Sequence, residues 1–225
     1  MILENRILEP ELMDDERQSI AYAKADFSAS NQLFVDGFVR DFPGHLRHAV
    51  DIGCGPGDVV IRLARAASDI HITAIDGSKP MLSLARAAVR ANGLESRVRL
   101  VEGYVPGVAL QDRSYDAILS KDLLHHLPDP SALWKEVVRL GQTGAAVYVM
   151  DLVRPLTTGD AHCIVDTVAA NEDPILREDF YNSLCAAFTI DEVAGQLRAA
   201  TLDLRVTQVS DRHMLVSGLL TSPSL

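Results

Sequence analysis

The stretch that most constrains this chain is Asp51-Ile52-Gly53-Cys54-Gly55-Pro56-Gly57-Asp58. It follows the apolar run Ala49-Val50-Asp51-Ile52 and precedes the helical pattern Val59 to Ala67. Glycines so closely spaced permit positive φ and let a ligand approach the backbone. A strand, a glycine turn and a helix, in that order, mark the ligand-binding edge of an open α/β sheet. The alternation continues downstream. Ile70 to Ile75 reads as a strand, and Lys79 to Asn92 as a helix that stops at Gly93. Val98 to Val101 and Tyr115 to Leu119 read as strands, Ala132 to Leu140 as a helix, and Ala145 to Leu152 as a fifth strand. Strands separated by helices of this length predict a parallel, doubly wound sheet.

The flanks differ. Leu12 to Phe27 and Asn31 to Phe42 read as helices, separated by Ser28-Ala29-Ser30. After the fifth strand, Gly159 to Asn171 and Ile175 to Phe188 look helical, and Thr189 offers an N-cap for a helix running to Ala200. Leu204 to Val209 and Met214 to Leu219 form two strands joined by Ser210-Asp211-Arg212, which predicts an antiparallel hairpin on the sheet. The expected fold is α/β: a doubly wound, Rossmann-like, seven-stranded sheet with an antiparallel C-terminal hairpin and N-terminal lid helices.

Composition narrows the function classes. The chain has 31 acidic and 21 basic residues, a net charge of −10, so a broad nucleic-acid platform or an anionic membrane is disfavoured. No apolar run reaches the ~18–20 residues of a membrane helix. The start, Met1-Ile2-Leu3-Glu4-Asn5, lacks the basic and apolar regions of a secretory signal. Cys54, Cys163 and Cys185 have no paired spacing, which fits free thiols in a reducing compartment and suggests no metal site. A cytoplasmic location is expected.

Asp76 ends the second strand, where a carboxylate can accept both hydroxyls of an adenosine ribose. A dinucleotide is one candidate ligand, but its fingerprint wants glycine where Asp58 stands. A carboxylate at that helix N-terminus would repel a pyrophosphate, and Pro56 removes one N–H from the cradle. A cationic ligand suits the loop better. S-adenosylmethionine has no phosphate and carries a sulfonium and an ammonium, and Asp51 is placed to help hold the ammonium.

At these residues the chain resembles the class I S-adenosylmethionine-dependent methyltransferases. The matching stretches are Asp51 to Gly57, Ala74-Ile-Asp-Gly-Ser-Lys-Pro-Met-Leu82, Glu102-Gly103, Ser114-Tyr-Asp-Ala-Ile118 and Leu124-His-His-Leu-Pro-Asp-Pro130. The resemblance covers roughly residues 48–150 and extends beyond them only by architecture. It implies that Gly53 and Gly55 approach the methionine part and that Asp76 grips the ribose. It further implies that Gly77, Ser78 and Met81 line the adenine, with Gly103 and Tyr104 on its other face. Ser120 and Lys121 would lie beside the methionine amino group. Many relatives carry aspartate where Tyr104 stands, so here the ring would stack on the adenine instead of bonding its amine. The implied organisation is a single domain over 1–225: a helical lid over 1–45, a cofactor-binding core over 46–152, a substrate-covering helical insertion and last helix over 153–200, and a terminal hairpin over 201–225. The product would be S-adenosylhomocysteine.

Methyl transfer from a sulfonium is an in-line displacement, so the protein mainly supplies alignment and dehydration. A base is needed only for a protonated nucleophile. Candidates after the fourth strand are Asp122, His125 and His126, with Arg154 after the fifth. The two histidines belong to a segment shared by relatives with unrelated substrates, which favours a structural role for them. Candidate acceptor contacts are Tyr22, Asp26 and Asn31 on the lid, Asp151 and Arg154 after the fifth strand, and His162 in the insertion.

The expected partner is a small-molecule acceptor with an O, N or S nucleophile, and the expected assembly a monomer or homodimer. No Asn-Pro-Pro-Tyr motif follows the fourth strand; the chain reads Ser120-Lys-Asp-Leu. A tRNA or protein methyltransferase would need a basic groove. A non-catalytic cofactor-binding partner subunit would have side chains filling the space above the sulfonium. An arsenite methyltransferase is rejected because Cys163 and Cys185 lie far from any paired pattern.

Overall fold

A computed structural model describes residues 2–9 and 15–221. Seven strands form one sheet: β1 (His48–Ile52), β2 (His71–Asp76), β3 (Val98–Glu102), β4 (Tyr115–Lys121), β5 (Gly141–Leu152), β6 (Arg205–Gln208) and β7 (His213–Leu219). Their order is β3-β2-β1-β4-β5-β7-β6. β1 to β5 pair in parallel, and β7 runs antiparallel between β5 and β6. The parallel strands therefore all end along one edge. The loop after β1, the turn after β2, Gly103 after β3 and Asp122 after β4 converge there.

The helices are α1 (Glu16–Lys24), α2 (Ser28–Asp41), α3 (Asp58–Ala66), α4 (Lys79–Ala91), α5 (Ser131–Leu140), α6 (Thr158–Val168), α7 (Pro174–Ala186) and α8 (Ile190–Ala199). Alternate residues along β1 face opposite layers. Ala49 packs with Phe34, Phe38, Val60, Leu63 and Leu82 of α2, α3 and α4. Val50 and Ile52 pack with Leu133, Trp134 and Val137 of α5 and Val193 and Leu197 of α8. Both sheet faces are thus covered, which is why β1 and β4 read as nearly continuous apolar runs. A third cluster, Leu3, Leu152, Val165, Leu184 and Cys185, joins α6 and α7 to the end of β5.

On the first layer, Phe34, Phe38 and Phe42 surround Tyr148 of β5 at ring-centroid distances of 5.1, 5.7 and 6.1 Å. Fully burying an aromatic of this size is worth about 1.5–3 kcal/mol, so this cluster seats α2. Gly37 is needed there, because a Cβ would run into the Tyr148 hydroxyl. α8 has the expected start: the Thr189 hydroxyl accepts from Glu192 N, and the Glu192 carboxylate accepts from Thr189 N.

Several expected boundaries shift. α2 begins at Ser28, inside the triplet read as punctuation, because the Asp26 carboxylate accepts the Ser28 N–H and opens the helix. α1 starts at Glu16 behind the N-cap Asp15, and the expected residues 12–14 lie outside those described. β5 begins at Gly141, with an irregularity between Tyr115 and Ala117 in its pairing to β4. α6 stops at Val168, short of Asn171.

The larger correction concerns the N-terminal lid, expected to be helical over 1–45. Residues 2–9 hold no helix. They run as a strap, with Leu3 N donating to Leu156 O and Ile7 N to Cys185 O, both at 2.9 Å. Arg6 fastens it: its guanidinium donates to the carbonyls of Ala186 and Leu127 at 2.7 and 2.9 Å and to that of His125, and stacks on Phe188.

Candidate active site

The glycine loop sits between β1 and α3 with Gly53, Gly55 and Gly57 all at positive φ. Gly53 donates to Ile75 O at 2.9 Å, and Gly55 N donates to Asp76 Oδ2 at 2.7 Å. Asp76 Oδ1 accepts from Ser78 N at 2.8 Å. Its carboxylate thus stands at the end of β2 between the glycine loop and the start of α4, where the resemblance puts the ribose hydroxyls. The Ser78 hydroxyl caps α4 by accepting from Met81 N, placing Met81 in the wall.

A cavity of about 270 Å³ opens over this loop. Asp51, Gly53, Gly55, Asp76, Gly77, Ser78, Met81, Gly103, Tyr104 and Lys121 all line it. The structure therefore brings together ten of the eleven residues expected at a cofactor. Ser120 is the exception: it is buried, and its hydroxyl donates to Ile52 O at 2.7 Å, tying β4 to β1. Tyr104 stands at the rim and is 53% exposed. Gly103 has a packing reason as well, since a Cβ there would collide with Val108.

The cavity is electronegative. Asp26, Asp51, Asp58, Asp76 and Asp122 line it, against the cations Arg62 and Lys121. Arg62 is taken by Asp58 at 2.7 Å, and Lys121 by Asp122. Asp51 is buried, and its Oδ1 accepts no hydrogen bond. Burial and the neighbouring Asp76 push its carboxyl up to about 7, against the pull of Lys121. A buried acceptor without a donor is costly, and an ammonium is the donor this one suits. A pyrophosphate would meet repulsion from the same wall. The residues present fit S-adenosylmethionine and disfavour a dinucleotide.

The lid contributes directly. Asn31 of α2 donates through Nδ2 to Asp58 Oδ2 at 2.8 Å, and Arg62 Nη1 donates to Gln32 Oε1 at 2.8 Å. Tyr22, Asp26 and Asn31 all line the cavity. Burial and the surrounding carboxylates, Asp122 first among them, raise the Tyr22 hydroxyl above its ordinary value.

A second cavity of about 170 Å³ adjoins the first. Tyr22, Ala25, Asp26, Phe27, Asp122 and His126 line both. Its own walls are largely apolar, with Leu152, Val168, Leu176 and Phe180, and its polar groups include His125, Asp179, Ser183 and His213. Asp122 is held at φ 56°, an uncommon conformation for a non-glycine residue, at the junction of the two spaces. Burial would raise its carboxyl, but Lys121 and then His213 hold it below its ordinary value. Burial lowers His213.

The remaining candidates separate. Asp151 Oδ1 faces His125 Nδ1 at 2.7 Å, and its Oδ2 accepts from Leu124 N at 2.7 Å. Asp151 lines neither cavity; it fixes the single turn of 3-10 helix Leu124–His126. Burial alone would lower His125, but Asp151 and then Glu9 raise it to about 9. Arg154, expected to meet a substrate carboxylate, lines neither cavity. It pairs with Glu192 at 2.8 and 2.9 Å and donates to the carbonyls of Leu3, Glu4 and Ala187, because α8 and the strap both pass beside it. His162 is exposed and stacks on Tyr181 at 4.3 Å, also away from both cavities. Sequence reasoning missed Arg62 as a wall residue, and Glu9 altogether. Glu9 packs against both histidines, with Oε1 3.4 Å from His125 Nε2 and 3.2 Å from His126 Nδ1.

Comparison with known proteins agrees with this geometry. Residues 49–144 match the family described as methyltransferase domain. Ajmaline N-methyltransferase of Rauvolfia serpentina is 30% identical over 133 residues, covering 59% of this chain and 44% of that protein. The ubiquinone biosynthesis O-methyltransferase of Xylella fastidiosa is 30% identical over 131 residues, covering 57% and 51%. The chain thus spans about half the length of the curated relatives it matches. Among solved structures, a SAM-dependent methyltransferase from Aquifex aeolicus superimposes with a TM-score of 0.68 at 18% identity, covering 91% of this chain and 98% of that one. The plantazolicin methyltransferase BpumL, in complex with a triazolic desmethylPZN analog and SAH, gives 0.69 at 15% identity, covering 93% and 92%. These last two show the fold. No helix among the described residues is long and apolar enough to cross a membrane.

Proposed function

The chain carries a class I S-adenosylmethionine-dependent methyltransferase domain, and we propose that it methylates an O, N or S nucleophile on a small molecule with an apolar body. The observation that carries this reading is the meeting of two unlike cavities at Asp122 and His126. One is electronegative and built on the glycine loop. The other is smaller, mainly apolar and walled in part by α2 and α7. A methyl donor in the first and an acceptor in the second would face each other across the shared wall.

When bound, the cofactor supplies a methyl group already activated by its sulfonium. Asp51 and Asp76 would hold its ammonium and ribose, and the Gly53 and Gly55 backbone would allow the approach. Lys121 would keep Asp122 ionised, so the junction carries a fixed negative charge beside the developing positive charge of the reaction. The α1–α2 cover, tied to α3 through Asn31 and Asp58, would exclude water. The electronegative cavity and the net charge of −10 favour this acceptor class over tRNA, whose phosphates would be repelled.

The test is calorimetric titration with S-adenosylhomocysteine and, separately, NADH. It is followed by incubation with S-adenosylmethionine and a panel of phenols, amines and thiols read by mass spectrometry. Binding of the homocysteine product alone and a gain of one methyl on a panel member are expected. NADH binding, or product binding with no methyl gain across the panel, would count against the assignment.

A further inference from the structure

We propose that Glu9, His125 and His126 form a binding site for a divalent transition-metal ion, in which the N-terminal strap supplies one of the ligands. Among the described residues these three form the grouping whose ligand atoms all lie within 4.8 Å of one another. Two of the separations are 3.2 and 3.4 Å. A tetrahedral ion with ligands at ~2.0–2.1 Å requires its ligand atoms to lie roughly 3.3 Å apart.

The partners of each group point the same way. The Glu9 side chain is only 7% exposed, and its Oε1 accepts no hydrogen bond although both imidazoles are near. Its other oxygen is fixed by Ser183 Oγ at 3.2 Å, which leaves Oε1 directed at the two rings. His125 Nδ1 must carry its proton, because the Asp151 carboxylate 2.7 Å away only accepts. That turns Nε2 toward Glu9. A carboxylate behind an imidazole that faces a metal is the usual outer support of such a ligand.

Two histidines and one glutamate are the donor set of zinc sites that keep a fourth position open. Arg6 brings a positive charge close by, through its bond to the His125 carbonyl, but Glu9 and Asp151 together outnumber it. His125 and His126 line the second cavity, so an ion held by both stands in the wall of that space. An acceptor heteroatom as fourth ligand would rest on the methyl-transfer reading. The ion's binding does not.

The test uses the full chain stripped with a chelator and titrated with Co²⁺, read by its visible absorption, and with Zn²⁺, read by calorimetry. One equivalent of Co²⁺ with the bands of tetrahedral coordination is expected. Glu9→Gln and His126→Gln should each weaken binding by roughly tenfold or more, since even loss of an outer support costs ~10–100-fold. S-adenosylhomocysteine binding by the same samples reports on the fold and on the cofactor site separately. Failure of the wild-type chain to bind one equivalent would overturn the site and leave a proton between Glu9 and His125. So would undiminished binding by either variant. Metal binding without binding of the homocysteine product would sink the methyl-transfer reading and leave the metal site standing.

Discussion

Asn31 and Asp58 are joined by a 2.8 Å hydrogen bond that ties the N-terminal cover to the helix following the glycine loop. The acid that argues against a pyrophosphate is therefore also the anchor of the lid. Removing the amide in Asn31→Ala should cost roughly 1–2 kcal/mol, as for other bonds to charged acceptors. It should also weaken S-adenosylhomocysteine binding several-fold. Urea unfolding and calorimetry check both. Unchanged values in both would mean that α2 is held by its aromatic cluster alone.

Asp76→Ala should weaken S-adenosylhomocysteine binding by roughly tenfold or more, since a charge-assisted contact to the ribose is lost. The variant also frees the Gly55 N–H, so the melting temperature must be compared first. A folded variant with wild-type affinity would remove Asp76 from the ribose.

The Asp51 carboxyl, raised to about 7, makes cofactor binding depend on pH. A carboxyl held above its ordinary value binds more protons in the folded chain than in the unfolded one. Its contribution to stability is thus present at low pH and falls as pH rises through about 7. An ammonium ligand favours the ionised form, so binding should release a proton and tighten as pH rises across that range. Calorimetry in buffers of different ionisation enthalpy measures the proton count. In Asp51→Asn both the slope and the release should vanish.

Ala29 is exposed on α2 and lines the second cavity but not the first. Ala29→Trp should fill that space, lowering turnover roughly tenfold or more by displacing the acceptor. S-adenosylhomocysteine affinity should stay within about twofold of the wild type. Equal loss of both would place the acceptor elsewhere.

Arg154→Ala should act on stability. Its guanidinium side chain is 3% exposed and serves Glu192 and three carbonyls. Removing one partner of such a network costs about 3–5 kcal/mol when fully buried, and less here because Glu192 is 39% exposed. Equilibrium unfolding would show it, with cofactor affinity of the folded fraction retained.

The fold was legible because its signals are local. Ala49 to Ile52, the glycines and the helix after them are contiguous, and the capping residues of α4 and α8 lie within one turn of each start. Most residues expected at the cofactor cavity were legible for the same reason, since they stand at or just beyond the ends of β1 to β4. The strap, the Arg154 network and Glu9 were not. Arg6 reaches His125 across 119 positions and Ala186 across 180, and no periodicity encodes a contact of that span. Arg154 and His162 looked like acceptor contacts because they follow β5, but what crosses β5 in space decides their role. Ser28 was misread because serine favours both turns and helix starts, and the acceptor at Asp26 decided between them.

The strap has a consequence for the order of events during synthesis. Residues 2–9 are made before the partners that hold them, and the carbonyl that receives Arg6 Nε belongs to Ala186. Until α7 has emerged, the strap has only part of its partners: the carbonyls of Leu127 and Leu156 are already made, but those of Cys185 and Ala186 are not. The sheet can pair progressively from β1 outward, while the wall around His125 and His126 is complete only when the strap meets α7.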